Sequence, residues 1–272
     1  MSKNEEILQH IKDVELMILK DFIDICDENN LDYYLFYGTE IGAVRHQGFI
    51  PWDDDIDVAM FRDDYEKFLK VMEEKNSEKY TVFDIRYDEN YFFQFGRLSL
   101  NGTYWSEYWD SQVPFKLGIH IDLFILDKVP NNKLKRFLYM RRCLLLCKLC
   151  SISSIKIEYD VKLVEVISNI FHSIFNKIGL TPKHYQKKMV KLIRKYENQD
   201  CEYYADLTLN TLSYFKIEDF KPIKKVKFEN ICVNIPNNQE ATLGQVFGDY
   251  MQLPPEEDRV GHELNNVDFG IY

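Results

Sequence analysis

The sequence is short of residues that break a chain: 272 residues hold only 11 glycines and 8 prolines. That excludes a collagen-like or low-complexity polymer and leaves room for uninterrupted helices and a packed core. Positive charge is also scarce, with 34 Lys and Arg against 44 Asp and Glu, and a net charge of -10 argues against nucleic acid as a partner. No apolar run approaches the length of a membrane span, and the opening Met1-Ser-Lys-Asn-Glu-Glu is not an apolar leader. Six cysteines in a chain without such a leader are expected to be free thiols, and the cytoplasm is the default location. What is present is 46% hydrophobic residues and a 15% aromatic share, ample core material for one large domain or two small ones.

Periodicity gives a coarse order of elements. Residues 5 to 29 place Ile7, Ile11, Val14, Ile18, Phe22 and Ile25 on one stripe, which predicts a helix. Leu31 to Tyr37 reads as a short buried strand ending at Gly38, and Ile41 to Arg45 as a brief helix. Ile56, Val58 and Met60 alternate with Asp55, Asp57 and Ala59, the period of a strand. A helix follows with Tyr65, Phe68, Leu69 and Met72 inward, then strands over Tyr80 to Arg86, Tyr91 to Leu100 and Leu117 to Phe124. On the last of these His120 and Asp122 share one face. Three helices are expected between Asn131 and Asn198, then a hairpin of Lys224 to Phe228 with Ile231 to Ile235, and a helical stretch from Gln239 to Phe247.

Chemistry concentrates between Phe36 and Met60, where Asp53, Asp54, Asp55 and Asp57 fill four of five positions. On a strand Asp55 and Asp57 project from the same face, with Asp53 in phase upstream and Asp54 turned away. Neighbouring carboxylates repel and raise each other's pKa. A cation between them relieves this, and hard oxygen ligands about 6 to 7 Å apart at the Cα level suit Mg²⁺ or Mn²⁺. A solvated acidic loop is the alternative, but Pro51-Trp52 ahead, an apolar strand behind and a Gly-Thr turn upstream favour a metal site. Asp122 from a neighbouring strand would add a third carboxylate, the set that metal-assisted phosphoryl transfer requires. Gly38 would let backbone approach a phosphate, and Thr39 with the N–H groups of the next helix would bind its oxygens.

The run Phe36-Tyr-Gly-Thr-x-x-Gly-Ala-Val-Arg-His-x-Gly-Phe-Ile-Pro-Trp-Asp-Asp-Asp-Ile-Asp resembles the LicD family of phosphotransferases, relatives of the fukutin-type ribitol-phosphate transferases. The similarity continues through Met60-Phe-Arg62-Asp-Asp64-Tyr65, Ile121-Asp122-Leu-Phe124, Phe247-Gly248-Asp249-Tyr250-Met251 and Pro254-Pro-Glu-x-x-Arg259-x-x-His262. The resemblance implies an α+β fold, a nucleotidyltransferase-like mixed β-sheet flanked by helices, with a helical insertion. Residues 1–128 would form the catalytic core, 129–205 a basic helical segment and 206–272 a segment completing the catalytic unit. The implied activity is Mg²⁺- or Mn²⁺-dependent transfer of phosphocholine, or a related phospho-alcohol, from a CDP-activated donor, releasing CMP. The acceptor would be a hydroxyl of a cell-surface glycan precursor (teichoic acid, capsule or lipopolysaccharide), lipid-linked where it meets the inner membrane face.

In that reading Asp55, Asp57 and Asp122 are the catalytic, metal-binding carboxylates, with Asp53 beside them. Arg45 and His46 fall near the donor phosphates, and only the resemblance draws in Arg259 and His262. Glu40 departs from the family's apolar residue in Gly-Thr-Leu-Leu-Gly and would weaken donor binding or mark a different donor. The competing reading keeps the fold but moves NMP from an NTP with release of pyrophosphate.

Weaker signals remain. Cys143-x3-Cys147-x2-Cys150 has iron–sulfur spacing, but its helix intervals among leucines point to core thiols; a zinc or iron–sulfur site is the alternative. Tyr104-Trp105-Ser-Glu107-Tyr108-Trp109-Asp110 would either seat a quaternary ammonium, with Trp105 in a substrate-binding role, or form a packed loop. Arg97 and Ser99 share a strand face, pointing to the site or forming a surface salt bridge. From Asn131 to Asp200 about fifteen Lys and Arg face five acids, so this segment carries roughly +10 and the remainder roughly -20. It would either meet an anionic surface such as a phospholipid membrane or be a solvated helix face.

Overall fold

In chain order, α1 (Lys3–Glu28) leads to β1 (Tyr34–Leu35), α2 (Tyr37–Ile41) with a π-turn over Gly42–His46, β2 (Asp57–Phe61) and α3 (Arg62–Lys75). Then come β3 (Tyr80–Phe83), β4 (Gly96–Leu100), β5 (Tyr104–Trp105) and the long β6 (His120–Val129). Helices α4 (Lys133–Ser154), α5 (Lys162–Ile178) and α6 (Pro182–Ile193) follow. The chain closes with β7 (Tyr203–Asp206), β8 (Phe215–Lys216), α7 (Ile217–Phe220), β9 (Lys224–Phe228), β10 (Ile231–Ile235), a π-turn Glu240–Gly244 running into α8 (Gln245–Phe247), and β11 (Val267–Asp268). This computed structural model describes residues 3–88, 90–106, 109–157, 161–208, 212–259, 261 and 266–272.

Among the described residues seven strands form one mixed sheet, ordered β1-β2-β6-β4-β3, with β7 beside the second half of β6 and β8 beyond it. Only β2 and β6 run parallel; the other pairs are antiparallel. Alternation sorts the two faces. Val58, Met60, Leu123 and Ile125 enter a core closed by α1, α3 and the β9–β10 hairpin, where Ile11, Ile18, Phe22 and Phe68 are buried. Ala59, Phe61, Phe124 and Leu126 meet Tyr34, Phe36, Phe215 and Phe220 on the opposite face. Asp57 and Asp122 share the parity of this second, aromatic face, so the fold places both acids at one end of it.

Several expected elements shift. The first helix, the three helices of the basic segment and the β9–β10 hairpin lie where periodicity puts them. Gly38 and Thr39 belong to α2, not to a turn after a strand, because the helix already begins at Tyr37, whose φ of 43° turns the chain sharply. Tyr91 to Phe95 is not a strand: Tyr91 and Phe92, adjacent in sequence, are buried in one cluster, which a pleated strand does not allow. The aspartate strand starts at Asp57, leaving Asp53, Asp54 and Asp55 in the segment before it.

That segment is held from both ends of the chain. Lys12 of α1 donates to the carbonyls of Ile50 (3.0 Å) and Pro51 (2.9 Å). At the β9–β10 turn, Glu229 donates its N–H to Gln47 O (2.8 Å) and accepts from Phe49 N–H through Oε1 (3.0 Å). Gly48 lets this contact form, since a Cβ there would lie 2.0 Å from Glu229 Oε1 and push that carboxylate away from Phe49 N–H.

Candidate active site

Parallel pairing of β2 with β6 sets Asp57 directly opposite Asp122, and antiparallel pairing of β4 with β6 sets Arg97 on the other side of Asp122. Three charged residues therefore lie abreast on adjacent strands. Arg97 Nε donates to Asp122 Oδ1 at 2.8 Å, and its guanidinium stacks over Phe93 at 4.2 Å. Arg97 is buried, so its ion pair with Asp122 is not a surface salt bridge. Ser99 is instead structural: its Oγ accepts from Gly118 N–H. His120 Nε2 lies 3.6 Å from the same Asp122 oxygen, while Nδ1 meets Gly118 O at 2.8 Å. Burial, helped by Arg97, pushes the imidazole down to about 4, so the ring is neutral near pH 7.

The upstream glycine and threonine serve this strand. Thr39 Oγ1 accepts from Asp57 N–H at 2.8 Å, which joins α2 to the first residue of β2. The Asp53 carboxylate lies over Gly38, where a Cβ would come within 3.0 Å of Oδ2. Tyr37 donates its hydroxyl to Asp206 of β7 at 2.9 Å.

Electrostatically this is one field of acids. Burial first, then Asp55, Asp122 and Asp53, drive the Asp57 carboxyl well above the ordinary carboxylate range, with Asp206 adding to the effect. Glu15 of α1 is fully buried, and neither of its carboxylate oxygens has a hydrogen-bond partner among the described residues. Burial and the charges of Asp55, Asp54, Asp53 and Asp122 raise it as well. Glu15 and Asp206 are the site residues that sequence reasoning missed. Glu15 left a signal, an acid on the buried stripe of an amphipathic helix four residues after Ile11; Asp206, on a four-residue strand, left none.

A second cluster gathers Arg45, His46, Trp52 and Arg259. Arg45 donates through Nε to His46 Nε2 (2.9 Å) and through Nη1 to Tyr250 O (2.8 Å). The Arg259 guanidinium lies 5.5 Å from the centre of the Trp52 ring, and its charge lowers the pKa of Arg45 after burial does. A cavity of about 380 Å³ opens between Arg45, Trp52, Phe247, Asp249 and Tyr250. The structure thus brings Arg45, His46 and Arg259 together across more than two hundred residues of chain. A separate groove of about 790 Å³, which includes Arg86 and Lys187, contains none of the aspartates.

Glu40 is turned toward the π-turn at Glu240–Gly244. It is fully buried and accepts from Thr242 Oγ1 at 2.8 Å. Burial raises its carboxyl well above the ordinary 4.5, so the folded chain keeps a proton that the unfolded chain releases near that value. The stability this contributes is complete below the unfolded value and declines as pH rises above it. Glu40→Gln, with no proton to lose, is expected to gain in thermal midpoint over the wild type between about pH 5 and about pH 8. Midpoint-against-pH curves that run parallel would refute this.

The remaining candidates fall in several places, Trp105 beside the His120 that neighbours Asp122. Trp105 is buried in the main core with its ring 5.9 Å from His120, whereas Trp109 packs with Phe92 and Phe115 in a different cluster. The two rings therefore do not face a common cage; Glu107, Tyr108 and His262 lie outside the described residues. Cys143, Cys147 and Cys150 are free thiols on the buried side of α4. Burial pushes Cys143 and Cys150 up to about 12, as core thiols rather than metal ligands. Among the described residues no three His, Cys, Asp or Glu side chains converge closely enough to hold a metal ion. Among the described residues no helix is long and apolar enough to cross a membrane.

The site thus joins a mixed sheet, with Asp57 and Asp122 in register on its parallel strands, to a separate group of cations at Arg45 and Arg259. Residues 30–136 match the family model described as LicD/FKTN/FKRP, nucleotidyltransferase domain. Over 261 residues the chain is 31% identical to the lipopolysaccharide cholinephosphotransferase LicD of Haemophilus influenzae, covering 93% of this chain and 94% of the relative. A shorter stretch of 65 residues is 37% identical to an uncharacterised protein of Rickettsia prowazekii, 24% of each chain. The chain belongs to the LicD family and is a phosphotransferase.

Proposed function

We propose that this enzyme transfers phosphocholine, or a closely related phospho-alcohol, from a CDP-activated donor to a hydroxyl of a cell-surface glycan precursor of the lipopolysaccharide kind. The placement of Asp57 opposite Asp122, with Arg97 on the far side of Asp122, carries the reading. The relative's cholinephosphotransferase activity supports the choice of transferred group. A nucleotidyltransferase-like description of the sheet belongs to the same reading and rests on the family model.

The acceptor oxygen attacks the alcohol-bearing phosphorus, the bond from that phosphorus to the CMP oxygen breaks, and CMP leaves. Asp122 would take the hydroxyl proton, with its bond from Arg97 fixing its orientation. Arg45 and Arg259 would meet the donor's phosphates, and the adjoining cavity with Trp52 and Tyr250 would receive its remaining part. Thr39 would steady the start of β2 through its bond from Asp57 N–H, and Gly38 would leave room for the Asp53 carboxylate.

Asp55, Asp57 and Asp122 carry hard oxygens of the kind Mg²⁺ or Mn²⁺ takes, and a divalent charge would relieve the mutual repulsion that raises Asp57. As they stand no three of the described side chains converge on one ion, so holding it would require these carboxylates to draw together. When bound, the ion would neutralise charge on the phosphate oxygens.

Incubation with CDP-choline, CDP-ethanolamine, CDP-glycerol or CDP-ribitol and a glycan acceptor is expected to release CMP from at least one donor, measured by chromatography. No CMP from any of them, with pyrophosphate released from an NTP instead, would establish nucleotidyl transfer.

A further inference from the structure

Helix α5 is built inside out. The side chains it turns toward the protein are mostly polar: Ser168 is buried, Glu165 and Asn169 are half-buried, and His172 bonds through Nδ1 to Ile152 O of α4 at 2.8 Å. Phe175, against Tyr185 at 5.7 Å, is the large apolar residue on that side. Its solvent side carries Leu163, Ile167, Ile170, Phe171, Ile174 and Ile178, each between 44% and 68% exposed. At 3.6 residues per turn these six fall within an arc of roughly 100°. A surface helix normally presents the reverse pattern, and a monomer rarely leaves so continuous an apolar face in water.

We propose that α5 lies in the surface of a bilayer containing anionic phospholipid, with this face sunk among the acyl chains. Charge identifies the occupant. The segment from Asn131 to Asp200 carries roughly +10, with Lys162 and Lys177 on α5 itself, which complements anionic headgroups. A second copy docked on the same face would oppose two such segments and repel. With 17 residues and a polar inner side, α5 suits an interfacial helix rather than a span. This inference does not depend on the identity of donor or acceptor.

Flotation with vesicles of phosphatidylcholine, with and without phosphatidylglycerol, tests it, using the full chain and the double variant Ile170→Gln/Ile174→Gln. Both side chains are exposed and the charge is unchanged, so a loss reports apolar insertion, and circular dichroism checks that α5 persists. The wild type is expected to float with phosphatidylglycerol vesicles, less at high salt, and the variant to partition about tenfold more weakly. A folded variant that floats as well as the wild type overturns the proposal, as does a wild type that does not float. Light scattering that shows a wild-type dimer dispersed by the same substitutions would assign the face to a second copy and likewise overturn it.

Discussion

Asp57→Asn is expected to lower CMP release by about three orders of magnitude while leaving the thermal midpoint unchanged or higher. In the proposed mechanism the loss would follow from removing a carboxylate that helps neutralise phosphoryl charge, an effect of several kcal/mol at about 1.4 kcal/mol per factor of ten. The stability expectation has a separate origin. Asp57 is buried in the field of Asp55, Asp122 and Asp53, so the isosteric amide removes a repelling charge yet keeps the shape and the backbone bond to Thr39. Activity within tenfold of the wild type would remove Asp57 from the mechanism. A midpoint that drops sharply would make it a structural residue instead.

Arg62→Ala is expected to cost about 3–5 kcal/mol of unfolding free energy. Arg62 opens α3 and reaches across to β6, where Nε and Nη2 bond Asp127 at 2.8 and 2.6 Å with both residues buried. Removing the cation strands a buried carboxylate, and that strandedness is most of the cost. Urea denaturation of Arg62→Ala, of Asp127→Ala and of the double variant separates the terms. The double variant should be less destabilised than the sum of the singles, and additive values would show that the two side chains do not act as a pair.

How far the sequence carries this site depends on the range of each signal. Short-range patterns transmit well: the period-2 run after Asp55, the leucine-spaced cysteines of α4 and the β9–β10 hairpin each lie where local periodicity puts them. Signals that need two distant segments do not. The pairing of Tyr37 with Asp206, and the burial of Glu15 beside Asp53, Asp54 and Asp55, arise only when α1, β7 and the aspartate segment meet. Glu40 shows a third kind of failure. Its place in the motif was legible, but its direction was set by Thr242, about two hundred residues away. Tyr91 to Phe95 misled for a related reason, since aromatic density marks burial without saying whether the backbone is pleated.

The grip of Lys12 and Glu229 on residues 47 to 51 has a consequence for how the enzyme comes into being. A ribosome that has delivered every aspartate from Asp53 to Asp122 has not yet delivered the turn at Glu229 that steadies their leader segment. Competence therefore arrives late in synthesis, once the hairpin can fold back on a stretch made some 180 residues earlier.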